Sequence, residues 1–241
     1  PLVPIMTTSA ISGLLSKVRS QSAKLLSTNE NVKMTELATL SSMIGQLSEH
    51  VRLADLQSRF LNLLIGQHSN DKEAALTGDA RLELEWWSRC QERGDQMVGK
   101  PRAWEQLTTD ASKTGWGACW HGRTYAGRWS DQDLTSMTSN WKELSAIHQG
   151  LLVIPPEELF HGNVVIRSDN TTAVFIINSR GRTRYEELLR VVKRIWLLAE
   201  ERRVNIRAEH VPGHANRVAD RASRRKPLAN DDAKKLIENT G

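Results

Sequence analysis

WEQLTTDASKTGWGACWHGRTYAGRW, residues 104–129, is the stretch that decides the fold. Residues 104–111, 115–120 and 123–129 are short, β-compatible runs separated by turns, which predicts a three-stranded antiparallel meander. Working outward toward the C-terminus, residues 141–153 have helical spacing, and Pro155 and Pro156 predict a turn. Residues 164–168 form a buried-type strand and 171–179 a helix. A longer basic helix over 183–203, a strand over 205–211 and a short helix over 215–224 complete the series. The order βββ-α-β-α-α-β-α implies an α/β domain, a five-stranded mixed sheet flanked by helices.

Toward the N-terminus the period is helical. Ile11, Leu14, Leu15 and Val18, then Leu37, Leu40, Ile44, Leu47 and Val51, recur at steps of three and four, which predicts two or three packed helices between 7 and 67. Residues 69–78 read as a joint, 79–93 as a helix carrying Leu82, Trp86 and Trp87, and 94–102 as a linker. The expected organisation is therefore a small all-helical segment with its linker over 1–103, the α/β domain over 104–226, and a tail over 227–241.

Composition narrows the function classes. At 39% hydrophobic and 25% charged residues the chain has the makeup of a globular protein. It has no apolar run of the roughly 18 to 20 residues a bilayer span needs, so no membrane role is expected. Nothing after Pro1 has the pattern of a signal peptide, and the chain reads as part of a longer polypeptide. Cys90 and Cys119 provide neither a disulfide framework nor a CxxC metal site; the expected setting is intracellular, cytoplasmic or nuclear, and any metal must be held by oxygen. Charge is unevenly spread: residues 180–226 carry 14 basic against 6 acidic residues, whereas 104–179 carry 5 against 8. A basic half suits a phosphate backbone and an acidic centre suits divalent cations, although solvated charged helices would produce the same counts.

Four carboxylates stand out, each with an ordinary structural explanation beside the chemical one. Asp110 ends the first strand, where a turn residue is common. Glu143 follows Asn140 by three in NWKE, a capping-box arrangement, yet lies close to the edge of the apolar stripe Trp141, Leu144, Ile147, Leu151 and can reach beside the sheet. Asp169 joins a strand to a helix and could cap it, and Asp220 has Arg217 and Arg224 at helical spacing. Taken together, Asp110 and Asp169 fall at the carboxyl ends of strands, where open sheets place their functional crevices, and the helix residues Glu143 and Asp220 can complete one oxygen-rich cluster. Four carboxylates so gathered repel one another unless divalent cations neutralise them, and paired metals are the usual arrangement for phosphodiester displacement.

At TDASKTGWGA, the EL of WKELSA, SDN and VPGHANRVADRASR the sequence resembles type 1 ribonuclease H, in the form found in reverse transcriptases of DIRS-type and gypsy-like retroelements. The resemblance runs from about Thr108 to Arg224. ELATLSSMIGQLS and LELEWW are similar to the connection region that precedes ribonuclease H in DIRS-type elements. The resemblance implies a ribonuclease H-like fold and cleavage of the RNA strand of RNA–DNA hybrids with two Mg²⁺ ions, Mn²⁺ being the alternative. It further implies that Asp110 bridges both metals, that Asp220 helps hold the one activating water, and that Glu143 and Asp169 hold the one beside the leaving 3′ oxygen. His214 matches the mobile histidine that aids proton movement or product release. The implied partners are the hybrid and an upstream polymerase domain of the same polyprotein.

Ser112, Asn170 and Thr171 are minor-groove candidates, where 2′-hydroxyls distinguish RNA, and equally turn and cap residues. The link between the 171–179 helix and the next is read as only about 180–182, too short for the basic protruding helix of some family members. Substrate grip is therefore expected from the basic helix, through Arg190, Lys193 and Arg194, or from other parts of the polyprotein. Trp116, Trp120, Trp129 and Trp141 are read as core packing in preference to base stacking. The competing class is a catalytically idle ribonuclease H-like module with a nucleic-acid-binding or structural role; loss of any of the four acids would have favoured it.

Overall fold

The computed structural model describes residues 7–28, 31–91, 103–131, 137–159 and 162–224. The chain divides into two compact units, Pro1–Val98 and Gly99–Gly241. The expected linker over 94–102 and the tail over 227–241 lie outside the described residues. No helix among the described residues is long and apolar enough to cross a membrane.

Among the described residues the first unit has four α-helices, α1 (Thr8–Leu26), α2 (Met34–Gln46), α3 (Arg59–Gln67) and α4 (Gly78–Arg89). Their apolar stripes supply the core: Leu15, Val18 and Leu25 from α1, Leu37, Leu40 and Ile44 from α2, Leu61 and Leu64 from α3, Leu84 and Trp87 from α4. Glu83 is fully buried beside this core, and its two oxygens accept the backbone N–H groups of Phe60 (3.0 Å) and Leu61 (2.9 Å). A buried carboxylate thus satisfies two of the unpaired donors at the start of α3. Two short strands, β1 (Val32–Lys33) and β2 (Glu73–Ala74), pair antiparallel, so the 69–78 joint carries a strand that helical periodicity had no means of revealing.

The second unit has the expected α/β architecture, a five-stranded mixed sheet flanked by helices. Strands β3 (Trp104–Ala111), β4 (Gly115–Trp120), β5 (Arg123–Arg128), β6 (Asn163–Ser168) and β7 (Asn205–His210) form one sheet in the order β5-β4-β3-β6-β7. The meander β3-β4-β5 is antiparallel, while β3, β6 and β7 run parallel. His121 and Gly122, at φ 48° and 78°, make the two-residue turn between β4 and β5, and Trp120 pairs with Arg123 across it.

Helices cover both faces. A Cβ on Gly150 of α5 (Ser139–Val153) would meet Ala118 and Thr109 at 3.2 Å, whereas a Cβ on Gly117 would meet Ala219 and Ser223 of α9 (Arg217–Ser223). Adjacent strand residues point to opposite faces, so α5 and α9 sandwich β3 and β4. Between them in sequence come α6 (Pro156–Leu159), α7 (Thr171–Asn178) and α8 (Glu186–Glu201). Trp116, Trp120 and Trp129 are buried as expected for packing groups.

Several boundaries differ from the sequence reading. Pro156 opens the one-turn helix α6 where a turn was expected, since proline suits the first helical position. The link from α7 to α8 is Ser179 to Tyr185, not 180–182. Arg180 and Gly181 adopt positive φ, and the N–H of Gly181 closes onto the Ile176 carbonyl at 2.8 Å, ending α7; α8 begins only at Glu186. Arg202, the half-buried C-cap of α8, is engaged by backbone. Its guanidinium donates to the carbonyls of Leu151 (2.6 Å), Ile154 (3.1 Å) and Leu152 (3.4 Å), closing the C-terminal end of α5.

Candidate metal centre

The parallel strands bring the acids together. Asp110 sits at the carboxyl end of β3 and Asp169 immediately follows β6, each two residues beyond the register pair Thr108–Arg167. Glu143 projects from the second turn of α5. Asp110, Glu143 and Asp169 each offer a carboxylate oxygen, and these atoms all lie within 4.8 Å of one another. Asp110 is 5% exposed and Glu143 8%.

Local contacts hold these side chains in place. Asp110 Oδ2 accepts from the Ser223 hydroxyl at 2.7 Å, and Asn216 Nδ2 donates to the Thr109 carbonyl at 3.0 Å and to Asp110 Oδ1 at 3.4 Å. Asn170 is the N-cap of α7: its Oδ1 accepts from the Ala173 N–H at 2.8 Å and its Nδ2 donates to Asn140 Oδ1 at 3.0 Å. Ser223 and Asn216 were not singled out in the sequence, and Asn140 only as a helix cap, because a serine or asparagine carries no spacing signal that marks it as a neighbour of a distant carboxylate.

The electrostatics are those of a crowded anion cluster. Burial pushes the Glu143 carboxyl up to about 8, with the charges of Asp110 and Asp169 adding to it and the Ala111 N–H opposing. Asp110 is also raised, by burial first; the Ser223 hydroxyl opposes the shift, and Asp169 and Asp220 reinforce it. Glu143 Oε2 is buried without a hydrogen-bond partner among the described residues. An orphaned, buried carboxylate oxygen facing two further acids fits a hard divalent cation, which would neutralise the repulsion and complete the missing coordination.

The ordinary explanations for these acids fare unevenly. Thr138, not Asn140, caps α5, accepting from the Trp141 N–H at 3.2 Å, so the capping-box reading of Glu143 fails. Asp169 does not cap α7, because Asn170 does. Asp220 stands apart from the three: it is ion-paired with Arg224 at 2.6 Å, four residues on, and its side chain is 40% exposed. It is nevertheless near enough to Asp110 to raise that group.

His214 is exposed in the one-turn segment Gly213–Ala215, and a Cβ on Gly213 would lie 3.3 Å from Asp169 Oδ2, so the turn flanks the acids. The Ser112 hydroxyl serves its own turn, accepting from the Gly115 N–H at 3.0 Å, and donates to the Ser223 carbonyl at 2.8 Å. Thr171 is exposed at the first position of α7. On α8, Arg190 is exposed and paired with Glu186 at 2.9 Å, Lys193 is half-buried and Arg194 is exposed. His148 is lowered, mainly by burial and further by the charge of Arg194.

Residues 109–226 match the protein family described as reverse transcriptase-like. No curated protein shows a significant sequence match to the chain. Among solved structures, ribonuclease H1 from the archaeon Halobacterium salinarum is 18% identical, with 50% of this chain and 94% of that one covered at a TM-score of 0.40. The N-terminal RNase H domain of a Mycobacterium tuberculosis protein is 19% identical, covering 57% and 99% at 0.37. The foamy viral protease-reverse transcriptase in complex with RNA/DNA hybrid is 11% identical, covering 91% of this chain at 0.32, and the chain spans only 29% of that protein's length.

Proposed function

We propose that this chain is the ribonuclease H portion of a retroelement reverse transcriptase of DIRS or gypsy-like type, cutting the RNA strand of RNA–DNA hybrids during reverse transcription. On this reading residues 1–103 belong to the connection region, residues 104–226 form the nuclease domain, and the reaction takes place inside the cell beside an upstream polymerase domain of the same polyprotein. The observation that carries the reading is the convergence of Asp110, Glu143 and Asp169 within 4.8 Å at the carboxyl ends of parallel strands.

Asp110, Glu143 and Asp169, with Asp220 swinging in from its pair with Arg224, would hold two Mg²⁺ or Mn²⁺ ions. When bound, such ions neutralise the phosphodiester and make water a competent nucleophile near neutral pH. The chain's own residues do the rest. Asp110 would hold a cation through a carboxylate already hydrogen-bonded by Ser223 and Asn216. Glu143, whose carboxyl is pushed up to about 8 by burial and its acidic neighbours, would give up its proton on holding a cation. His214, exposed on the turn beside Asp169, can carry a proton to and from the site. Thr171 is open to the minor groove, whereas Ser112 and Asn170 would have to share hydrogen bonds they already make.

The deciding experiment is incubation of the protein with labelled RNA–DNA hybrid, with and without Mg²⁺ or Mn²⁺. Metal-dependent cleavage leaving 5′-phosphate and 3′-hydroxyl ends on the RNA strand is the expected result; hybrid binding without cleavage would overturn the nuclease assignment. One observation favours a second reading, an idle ribonuclease H-like module that binds nucleic acid or braces the polyprotein: Asp220 is engaged by Arg224 and lies outside the three-acid cluster. The same assay separates the two.

A further inference from the structure

Ser223, in the last turn of α9, is 2% exposed. Its hydroxyl has one proton and two acceptors within reach, Asp110 Oδ2 at 2.7 Å and the Asp220 carbonyl at 2.8 Å. The second contact is an ordinary backward bond within a helix. The first is charge-assisted whenever Asp110 is ionised, and such bonds are roughly twice as strong as neutral ones, so the proton goes to the carboxylate.

The position of this hydroxyl is built from several sides. Asp110 pairs across the sheet with Gly117, and cross-strand partners share a face. A Cβ on Gly117 would lie 2.5 Å from the Ser223 nitrogen, and one on Gly115 would lie 3.1 Å from the Ser223 carbonyl oxygen. Two glycines two residues apart on β4 therefore let the end of α9 settle directly over Asp110. The Ser112 hydroxyl, on the turn between β3 and β4, then holds the Ser223 carbonyl at 2.8 Å. Trp129 Nε1 in turn donates to the Ser112 carbonyl at 3.0 Å.

From this arrangement we infer that Ser223 is a positioning residue for Asp110, its hydroxyl clamping Oδ2 so that the carboxylate presents one fixed orientation to a bound cation. The inference rests on the reading of Asp110 as a metal ligand. With Oδ2 held by Ser223 and Oδ1 touched by Asn216, both ends of the carboxylate are fixed before any cation arrives. The same contact joins β3 to the helix that carries Asp220.

The test uses the whole chain with Ser223→Ala and, to keep side-chain volume, Ser223→Cys. Mn²⁺ binding is measured by calorimetry without substrate, kcat and KM are measured on labelled hybrid across a metal titration, and stability is followed by urea unfolding. Removing a hydrogen bond that orients a metal ligand typically weakens metal affinity or activity by about 10- to 100-fold. The expected result is Mn²⁺ affinity reduced in that range, kcat that recovers at high metal, and an unchanged KM for hybrid. Unchanged Mn²⁺ affinity in a folded variant, or a loss of stability alone, would reduce Ser223 to a helix-packing residue and overturn the inference. If the alanine variant does not fold, the cysteine variant is judged by the same readings. Wild-type protein that binds no cation overturns both proposals. Wild-type protein that binds the cation but cleaves nothing overturns only the nuclease reading, and the calorimetry still decides Ser223.

Discussion

Glu143 gives the clearest prediction at the scale of single residues. Its carboxyl is raised from 4.5 to about 8 in the folded, metal-free protein, so between those values the native state binds more protons than the unfolded chain. Stability must then fall as pH rises from the ordinary carboxylate range through about 8. In EDTA, urea unfolding should show a less stable protein at high pH than at mildly acidic pH. Glu143→Gln should remove much of that pH dependence, and since Thr138 caps the helix, no cap is sacrificed. A variant with the wild-type pH profile would show that Glu143 is solvated in solution. Asp110→Asn should abolish cleavage while keeping the fold, because it removes a charge from the same repelling cluster. His214→Ala should slow cleavage by about 10²- to 10⁴-fold without abolishing it, the usual contribution of a proton carrier, and unchanged rates across pH would return it to a solvated loop residue.

At the scale of elements, two groups of cations on or beside α8 should behave differently. Arg190, Lys193 and Arg194 lie on a helix whose Leu188, Val191, Val192 and Ile195 are buried, and the exposed pair of Arg190 with Glu186 is of the kind that contributes little to stability. If these residues meet the phosphate backbone, replacing all three with alanine should lower the salt dependence of hybrid binding by roughly 0.9 for each phosphate no longer neutralised. An unaltered slope would place the grip elsewhere. Arg202, by contrast, closes the end of α5 through three carbonyls, so Arg202→Ala should cost stability of about 1–3 kcal/mol by urea unfolding and leave the salt slope untouched.

For the whole molecule, a cation held by these acids would couple its binding to folding. A cation that binds only the native state stabilises it in proportion to the logarithm of its concentration over Kd, and it competes with the protons on Glu143 and Asp110. Added Mg²⁺ should therefore raise the Tm more at pH 8 than at pH 5.5. An equal shift at both pH values would point to binding away from the acids.

Periodicity and turn chemistry made most of the second unit legible: β3 and β4 begin and end where the sequence placed them, because alternation and turn residues are local signals. The same holds for the type and order of its helices apart from α6, and for Asp110, Glu143 and Asp169 as candidates. What no local signal carried was the set of interactions made by folding distant segments together. The β1-β2 ribbon pairs residues some forty apart, and Arg202 finds its carbonyls on another helix. Thr138 displaced Asn140 as a cap, a shift of two positions that propensity leaves open. Above all, the sequence placed four acids at one site, but the tertiary structure gathered three and left Asp220 in its pair with Arg224, while bringing up Ser223 and Asn216. Residue type determined which groups could bind a cation; which of them meet was decided by the parallel register of β3 and β6 and the packing of α5 on the sheet, and what holds Asp110 by how closely α9 packs over Gly117 of β4, matters of shape that exist only once the sheet has formed.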